Sequence, residues 1–294
     1  MSVTDLLTQR PRRESDDRDA RTSDVITLTT PVPRGRRRRR WHVPRLLRRT
    51  VGPLIVLGVW QLACSLGVFT SFEVASPVAV FDAARQLWAE GVLQPNLLIS
   101  LQRVAEGLGL GTAIGLTFAV ISGLFWVGED LLDPVIQAAR AVPILGLVPL
   151  AIIWFGVGEV PKVFLIALGS TFAVYINTFA GIRGVDSKLV EAGQTFGLSR
   201  WGLVRRVILP GALPNFLVGL RLALVGCWLI VIVAEEINAQ SGIGYLIMQA
   251  QTTGRTDIMM MGLAIYALLG ILADAFVRLL ERRLLTWRRG YAGA

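Results

Sequence analysis

Apolar residues gather into six stretches along the chain, near residues 51–69, 97–125, 138–155, 163–182, 213–234 and 258–280. Each is close to the roughly 20 residues that an α-helix needs to cross about 30 Å of hydrocarbon. The pattern therefore predicts an all-α, polytopic membrane protein with six transmembrane helices. The third stretch is the shortest and is interrupted by Pro143 and Pro149. In lipid such a helix is tolerated where neighbouring helices or cavity water satisfy the freed carbonyls, so it is expected to face protein or a pathway. The second stretch carries Gly107, Gly111 and Gly115 at four-residue spacing, with Gly109 between them. That spacing lets another helix approach closely and is read first as a packing signal.

Basic residues between the stretches set the orientation. Segment 183–206 carries Arg183, Lys188, Arg200, Arg205 and Arg206, and the end of the chain carries Arg278, Arg282, Arg283, Arg288 and Arg289. The opposite segments, 70–96, 156–162 and 235–257, hold only Arg85, Lys162 and Arg255. Six spans with cytoplasmic N- and C-termini fit this asymmetry. The loop 126–139 fits less well, since it should be cytoplasmic yet offers Glu129, Asp130 and Asp133 before Arg140. Acids weigh little in the rule, so the topology stands.

Composition changes the picture in two ways. The 294 residues are 53% hydrophobic, only 17% charged and carry a formal charge of +9. Residues 1–50 account for most of that excess, with 14 Arg against 6 acids. Residues 1–50 are read as a disordered basic cytoplasmic tail ending in the run Arg36–Arg40. It acts as an orientation signal, with binding to anionic membrane lipid a compatible second role. The remaining body is close to neutral, so a nucleic-acid partner is not expected. A signal peptide is not expected either, because the first apolar stretch is too long and lacks a small-residue cleavage site. Leu62, Ala63 and Cys64 superficially resemble a lipoprotein box, but Gln61 stands where that box wants an aliphatic residue. The stretch is expected to remain as a span.

The chemistry is pruned further. Cys64 and Cys227 lie in separate apolar runs and suggest buried side chains rather than a disulfide or metal site. The one histidine, His42, lies in the tail, which removes zinc-protease motifs and histidine triads from the body. No cofactor or metal is expected. The only lysines are Lys162, after Pro161, and Lys188, after Ser187. Neither can be the lysine of a phosphate-binding Gly-Lys-Ser/Thr loop, so any ATP-driven process needs a separate ATPase.

The segment 183–214 is the most informative. Leu189, Val190, Phe196, Leu198, Trp201, Leu203 and Val204 interleave with charge in a helix-forming, amphipathic pattern. Gly197 breaks it and Ser199 offers an N-cap for a second helix. Two short helices about a glycine turn can project from a membrane into a partner's groove.

Here the sequence resembles the permease subunits of bacterial ABC importers, whose cytoplasmic signature reads E-A-A, three residues, G, nine residues, I-x-L-P. Glu191, Ala192, Gly193, Gly197, Val207, Leu209 and Pro210 stand at those positions. Gly193 replaces the second Ala, expected to weaken the first helix by up to about 1 kcal/mol, and Val207 replaces Ile. The resemblance covers roughly residues 50–287 and is to the nitrate, aliphatic sulfonate and taurine branch. It rests also on Ser76-Pro77, Leu132-Asp133-Pro134, Arg140 to Pro143, Trp154 to Glu159, Ala234-Glu235, Ser241 to Leu246 and Gly254 to Asp257.

The resemblance implies a six-span permease domain over 51–287 with coupling helices at about 184–206, and a cytoplasmic end at 288–294. It implies a homodimer in the bacterial plasma membrane, cytoplasmic ABC ATPase subunits at the coupling helices, and an extracytoplasmic solute-binding protein. The permease itself is then not an enzyme. The implied cargo is a small anionic solute, with a vitamin-precursor pyrimidine as the alternative within the family.

Charged or amide groups within spans are functional candidates by default. Asn177, Arg221 and Glu235 are the pathway or gate candidates, Arg221 for its planar fork toward an anion and Glu235 for an external gate. Helix-to-helix pairing is the competing reading for Arg221 and Glu235. Asp274 is expected to snorkel, and Arg103 and Glu106 to pair along one helix face. An intramembrane enzyme using Glu235 and Glu236, or a passive channel or scaffold, are the alternatives of another class. Both leave the coupling signature unexplained.

Overall fold

The computed structural model describes residues 45–70 and 72–287. Expectations for residues 1–44 and 288–294 lie outside it. Among the described residues every regular element is helical. In chain order these are α1 (Arg45–Ser65), α2 (Pro77–Ala89), α3 (Leu93–Leu124), α4 (Trp126–Ala139), a 3₁₀ turn (Ile144–Leu147) leading into α5 (Val148–Phe155), α6 (Val160–Arg183), α7 (Ser187–Thr195), α8 (Arg200–Leu203), a π-turn (Val204–Ile208), α9 (Leu209–Asn238), α10 (Ile243–Thr252) and α11 (Thr256–Leu284).

Four helices are long and apolar enough to span a membrane by themselves: α3, α6, the continuous Arg200–Ile237 helix and α11. The third expected span is corrected. Only α4 and the Ile144–Phe155 segment together are long and apolar enough for it, and they are bent by 80° at the break; residues 126–139, expected as a loop, form α4. Pro143 explains the interruption: it adopts φ −64°, ψ 114°, has no N–H to donate, and pushes Val142 away from helical geometry. In α1 the apolar part, Val51–Ser65, covers only about 22 Å as a helix. Among the described residues four helices are thus long and apolar enough to span by themselves, the bent pair makes a fifth, and α1 adds a short apolar helix.

α6 is the centre of the bundle, packed between α3 and α9. The glycine ladder makes the α3 contact. A Cβ at Gly107 would lie 2.6 Å from Ile166 Cβ, and one at Gly115 2.6 Å from the Thr171 carbonyl oxygen. At Gly111 it would overlap the Ala167 carbonyl oxygen. The close approach lets Thr171 Oγ1 donate across to the Gly111 carbonyl at 3.2 Å. Gly109, off this line, has open space beside it. On the other side of α6, Gly219 meets Asn177 Cβ and Gly181 meets Asn215 Cβ. The apolar core around Leu165, Ile166, Cys227, Val231, Ile243 and Met261 joins α6, α9, α10 and α11.

Candidate functional site

Two features stand out, at opposite ends of the bundle. The first is the helix pair between α6 and α9. α7 starts at Asp186, whose carboxylate accepts from Lys188 N at 2.9 Å. It ends at Gly197, in the left-handed region at φ +78°, where Leu198 N returns to the Gly193 carbonyl at 3.0 Å. This closes the helix as a glycine cap does. Ser199 caps α8 as expected, accepting from Gly202 N at 3.2 Å. The second helix is not a separate piece, however. Through the π-turn at Val204–Ile208 it runs on into α9, so a displacement of α8 is transmitted along a membrane helix.

Gly193 has a role beyond weakening α7. It is buried, and a Cβ there would lie 2.7 Å from Leu203 Cδ2, 3.3 Å from Leu198 Cδ1 and 3.6 Å from Val207 Cγ2. Its bare backbone lets α7 lie against the start of α9. Elsewhere the helix pair is open: Leu189 is 58% exposed, Trp201 69% and Phe196 87%, with Glu191 and Ala192 also exposed. The two short helices and their turn thus form a knob with three large apolar side chains and one acid exposed on it. Leu209 and Pro210 sit half-buried at the start of α9, directly after the π-turn.

At the other end lies a buried polar network. Glu235, near the end of α9, is 0% exposed. Its carboxylate accepts from Ser100 Oγ at 2.7 Å, Arg103 Nη1 at 2.7 Å, Gly244 N at 2.8 Å and Tyr266 Oη at 3.1 Å. Ser100 in turn accepts from Ile243 N at 3.0 Å, and Asn96 Oδ1 from Gly242 N at 2.7 Å. Arg103 Nη1 also donates to the Ser241 carbonyl at 2.8 Å, while Nη2 reaches Glu159 Oε1 at 2.7 Å. A Cβ at Gly242 would overlap the Glu235 carboxylate, and one at Gly244 would sit 2.7 Å from Glu235 Cβ. The Ser241-Gly242-Ile243-Gly244 run therefore wraps its backbone directly over a buried carboxylate. Glu159, just ahead of α6, keeps 58% of its side chain exposed. The hydrogen bond from Arg103 holds its carboxyl down at about 2.

Glu235 accordingly does not line an open mouth; it ties α3, α9, α10 and α11 together. Arg103 does not pair with Glu106, which instead accepts from Gln102 at 2.8 Å. Arg221 lies within 3.2 Å of Asp274 and donates to Glu281 at 2.7 Å, and Asp274 also meets Arg278 at 2.6 Å. Two cations and two acids join α9 to α11, the helix-to-helix alternative for Arg221, and Asp274 is part of that cluster rather than a lone snorkelling charge. Asn177 donates to the Ala173 carbonyl one turn back at 2.8 Å and packs on Gly219. The three pathway candidates are thus in three separate places.

The family described as "Binding-protein-dependent transport system inner membrane component" matches residues 111–286. The chain belongs to that family. It is a permease subunit of an ABC transporter, a multi-pass inner-membrane component rather than an enzyme, with ATP hydrolysis in a separate subunit. This permease is 48% identical over 239 residues to the aliphatic sulfonates transport permease protein SsuC of Escherichia coli (strain K12), covering 81% of this chain and 91% of that one. It is 43% identical over 259 residues to the SsuC protein of Bacillus subtilis (strain 168), covering 88% and 92%. Among solved structures, a chain of an amino acid ABC transporter shares the fold with a TM-score of 0.57, at 22% identity, over 68% of this chain and 97% of that one.

Arg103 and Ser100 are the residues of the permease that sequence reasoning missed. A signal was present: a lone arginine inside an apolar stretch must find an acid. The nearest acid along the helix drew the assignment, whereas the true partners are 56 and 132 residues away.

Proposed function

We propose that the permease forms, as a homodimer, the translocation path of an ATP-driven importer for aliphatic sulfonates, taurine included. Two cytoplasmic ATPase subunits dock on the Leu189, Phe196 and Trp201 knob, and an extracytoplasmic solute-binding protein delivers the substrate to the opposite end. The N- and C-termini are then cytoplasmic, on the side of the knob.

The coupling assignment is carried by that knob: three exposed apolar side chains on two short helices joined at the Gly197 turn, the second continuous with α9. An ATP-driven approach of two ATPase subunits moves two knobs, and α8 passes the motion into the α9–α6–α3 core through the π-turn. Glu191, Ala192, Gly193, Gly197, Leu209 and Pro210 are the coupling residues in this reading. Gly193 seats α7, Gly197 makes the turn, and Pro210 starts α9. The sulfonate assignment is supported by identity to both SsuC relatives along most of the chain. Arg221, balanced by Asp274 and Glu281, acts as a clamp between α9 and α11 whose charges would rearrange as the path opens. Asn177 and Glu235 act through packing at the α6–α9 contact and at the outer network.

The test is uptake by proteoliposomes holding the permease and its ATPase, supplied with the binding protein. ATP-dependent accumulation of an alkanesulfonate supports the reading. Accumulation without ATP, or of a pyrimidine but no sulfonate, overturns it.

A further inference from the structure

The outer network contains an arrangement its packing role does not require. Arg103 and Lys162 have side chains only 2% and 4% exposed, yet the carboxylate shared between them, Glu159, is 58% exposed. Arg103 divides its guanidinium. Nη1 is committed inward to Glu235 and the Ser241 carbonyl. The other edge, Nε and Nη2, forms a two-pronged fork to Glu159, and Lys162 Nζ donates to the same carboxylate at 3.1 Å. A counter-ion needed only to neutralise buried cations gains most when it is itself shielded, because exposed pairs are weak.

Glu159 is also held by these two cations alone. Its side chain makes no capping bond to α6. The preceding residues are Gly156 and Gly158 about Val157, both glycines at positive φ. If Glu159 turns outward, Arg103 and Lys162 face Glu235 alone, leaving one positive charge at the N-terminus of the 24-residue α6, where the helix dipole also favours an anion. The vacated fork accepts two oxygens of an oxyanion and Lys162 a third, the geometry of a sulfonate.

We propose that the Arg103 fork and Lys162 form an oxyanion site for an alkanesulfonate at the end of the bundle opposite the coupling knob, with Glu159 occupying it as an internal anion that the substrate displaces. The sulfonate chemistry rests on the proposed transport function. The exchange keeps the buried charge balanced at each stage, so the site closes behind a departing substrate without stranding two cations.

The experiment uses the permease–ATPase complex in nanodiscs, with methanesulfonate as the probe and sodium chloride matching ionic strength. Glu159→Gln vacates the cradle's charge. Methanesulfonate is expected to raise its unfolding midpoint with the logarithm of concentration above the dissociation constant, by about 3–6 °C at tenfold that constant, while wild type, self-occupied, moves much less. Adding Lys162→Gln to Glu159→Gln should weaken the response at least tenfold in concentration. Equal responses in wild type and Glu159→Gln overturn the site. Should Glu159→Gln not assemble, Glu159→Asp, which keeps the charge but shortens the reach, is read the same way: a response above wild type supports the site and an equal one overturns it. Wild-type alkanesulfonate uptake is measured alongside. No uptake with an intact Glu159→Gln response overturns the sulfonate substrate alone, and uptake without that response overturns the cradle alone.

Discussion

Replacing Glu235 by Gln keeps the shape of the side chain and removes its charge. Four donors converge on the carboxylate: Ser100 Oγ, Arg103 Nη1, Gly244 N and Tyr266 Oη. A glutamine offers one acceptor oxygen and one NH2. With the amide oxygen toward Arg103, the NH2 confronts the Gly244 N–H; with the amide reversed, it confronts the guanidinium. In either orientation a fully buried donor loses its acceptor, a cost of about 1–3 kcal/mol. Removing one partner of a buried ion pair costs about 3–5 kcal/mol, and here the lower end applies, because Arg103 keeps Glu159 and the Ser241 carbonyl. A loss of about 3 kcal/mol lowers the unfolding midpoint by about 6–12 °C for a chain of this size. The assay is thermal unfolding of the intact complex in nanodiscs, with Ser100→Ala, which leaves the carboxylate charged but removes its hydrogen bond from Ser100 Oγ, a loss of about 1.5–3 kcal/mol, as the reference. A fall for Glu235→Gln below 2 °C, with Ser100→Ala equally without effect, would refute the assignment of Glu235 as the tie among α3, α9, α10 and α11.

Two glycines of α3, on and off the ladder, should respond differently: Gly111→Ala forces a methyl onto the Ala167 carbonyl and should cost about 1–3 kcal/mol in unfolding assays, whereas Gly109→Ala, with open space beside it, should be neutral or stabilising by up to about 1 kcal/mol. At the knob, Gly197→Ala places a side chain at φ +78°, a strain of about 1–2 kcal/mol confined to the turn; ATP hydrolysis should persist while sulfonate uptake per ATP falls, as measured in proteoliposomes. Glu159, held down at about 2 from a usual value of 4.5, contributes stability that is fully present above its unfolded value and is lost as pH falls toward 2. Acid titration of the wild-type complex should therefore show a destabilisation between about pH 5 and 2 that is reduced in Glu159→Gln.

Local features were the legible ones. The helical class followed from apolar stretches, the Gly197 turn and Ser199 cap from residue types at one turn's spacing, and the α3–α6 contact from the glycine ladder. Pro143 announced an interruption in the third span, but its size, an 80° bend, depends on how α4 and α5 pack rather than on proline alone. Gly193 looked like a weakened helix position because propensity counts only the helix itself; its use is the space it leaves for Leu203 and Val207. The Arg103 network was the least legible, since a charge inside a span takes its partner from wherever the fold brings an acid. Glu235 and Glu159 lie on different elements and far along the chain, so periodicity on α3 pointed to Glu106 instead.

The most direct test of the coupling assignment replaces the two projecting aromatics together, Phe196→Ser with Trp201→Ser. Both are mostly exposed, so the bundle itself should keep its unfolding midpoint. ATP-driven uptake of an alkanesulfonate is then measured in proteoliposomes with the ATPase and binding protein. The account predicts loss of uptake together with loss of ATPase association; uptake at the wild-type rate with the ATPase still bound would contradict it.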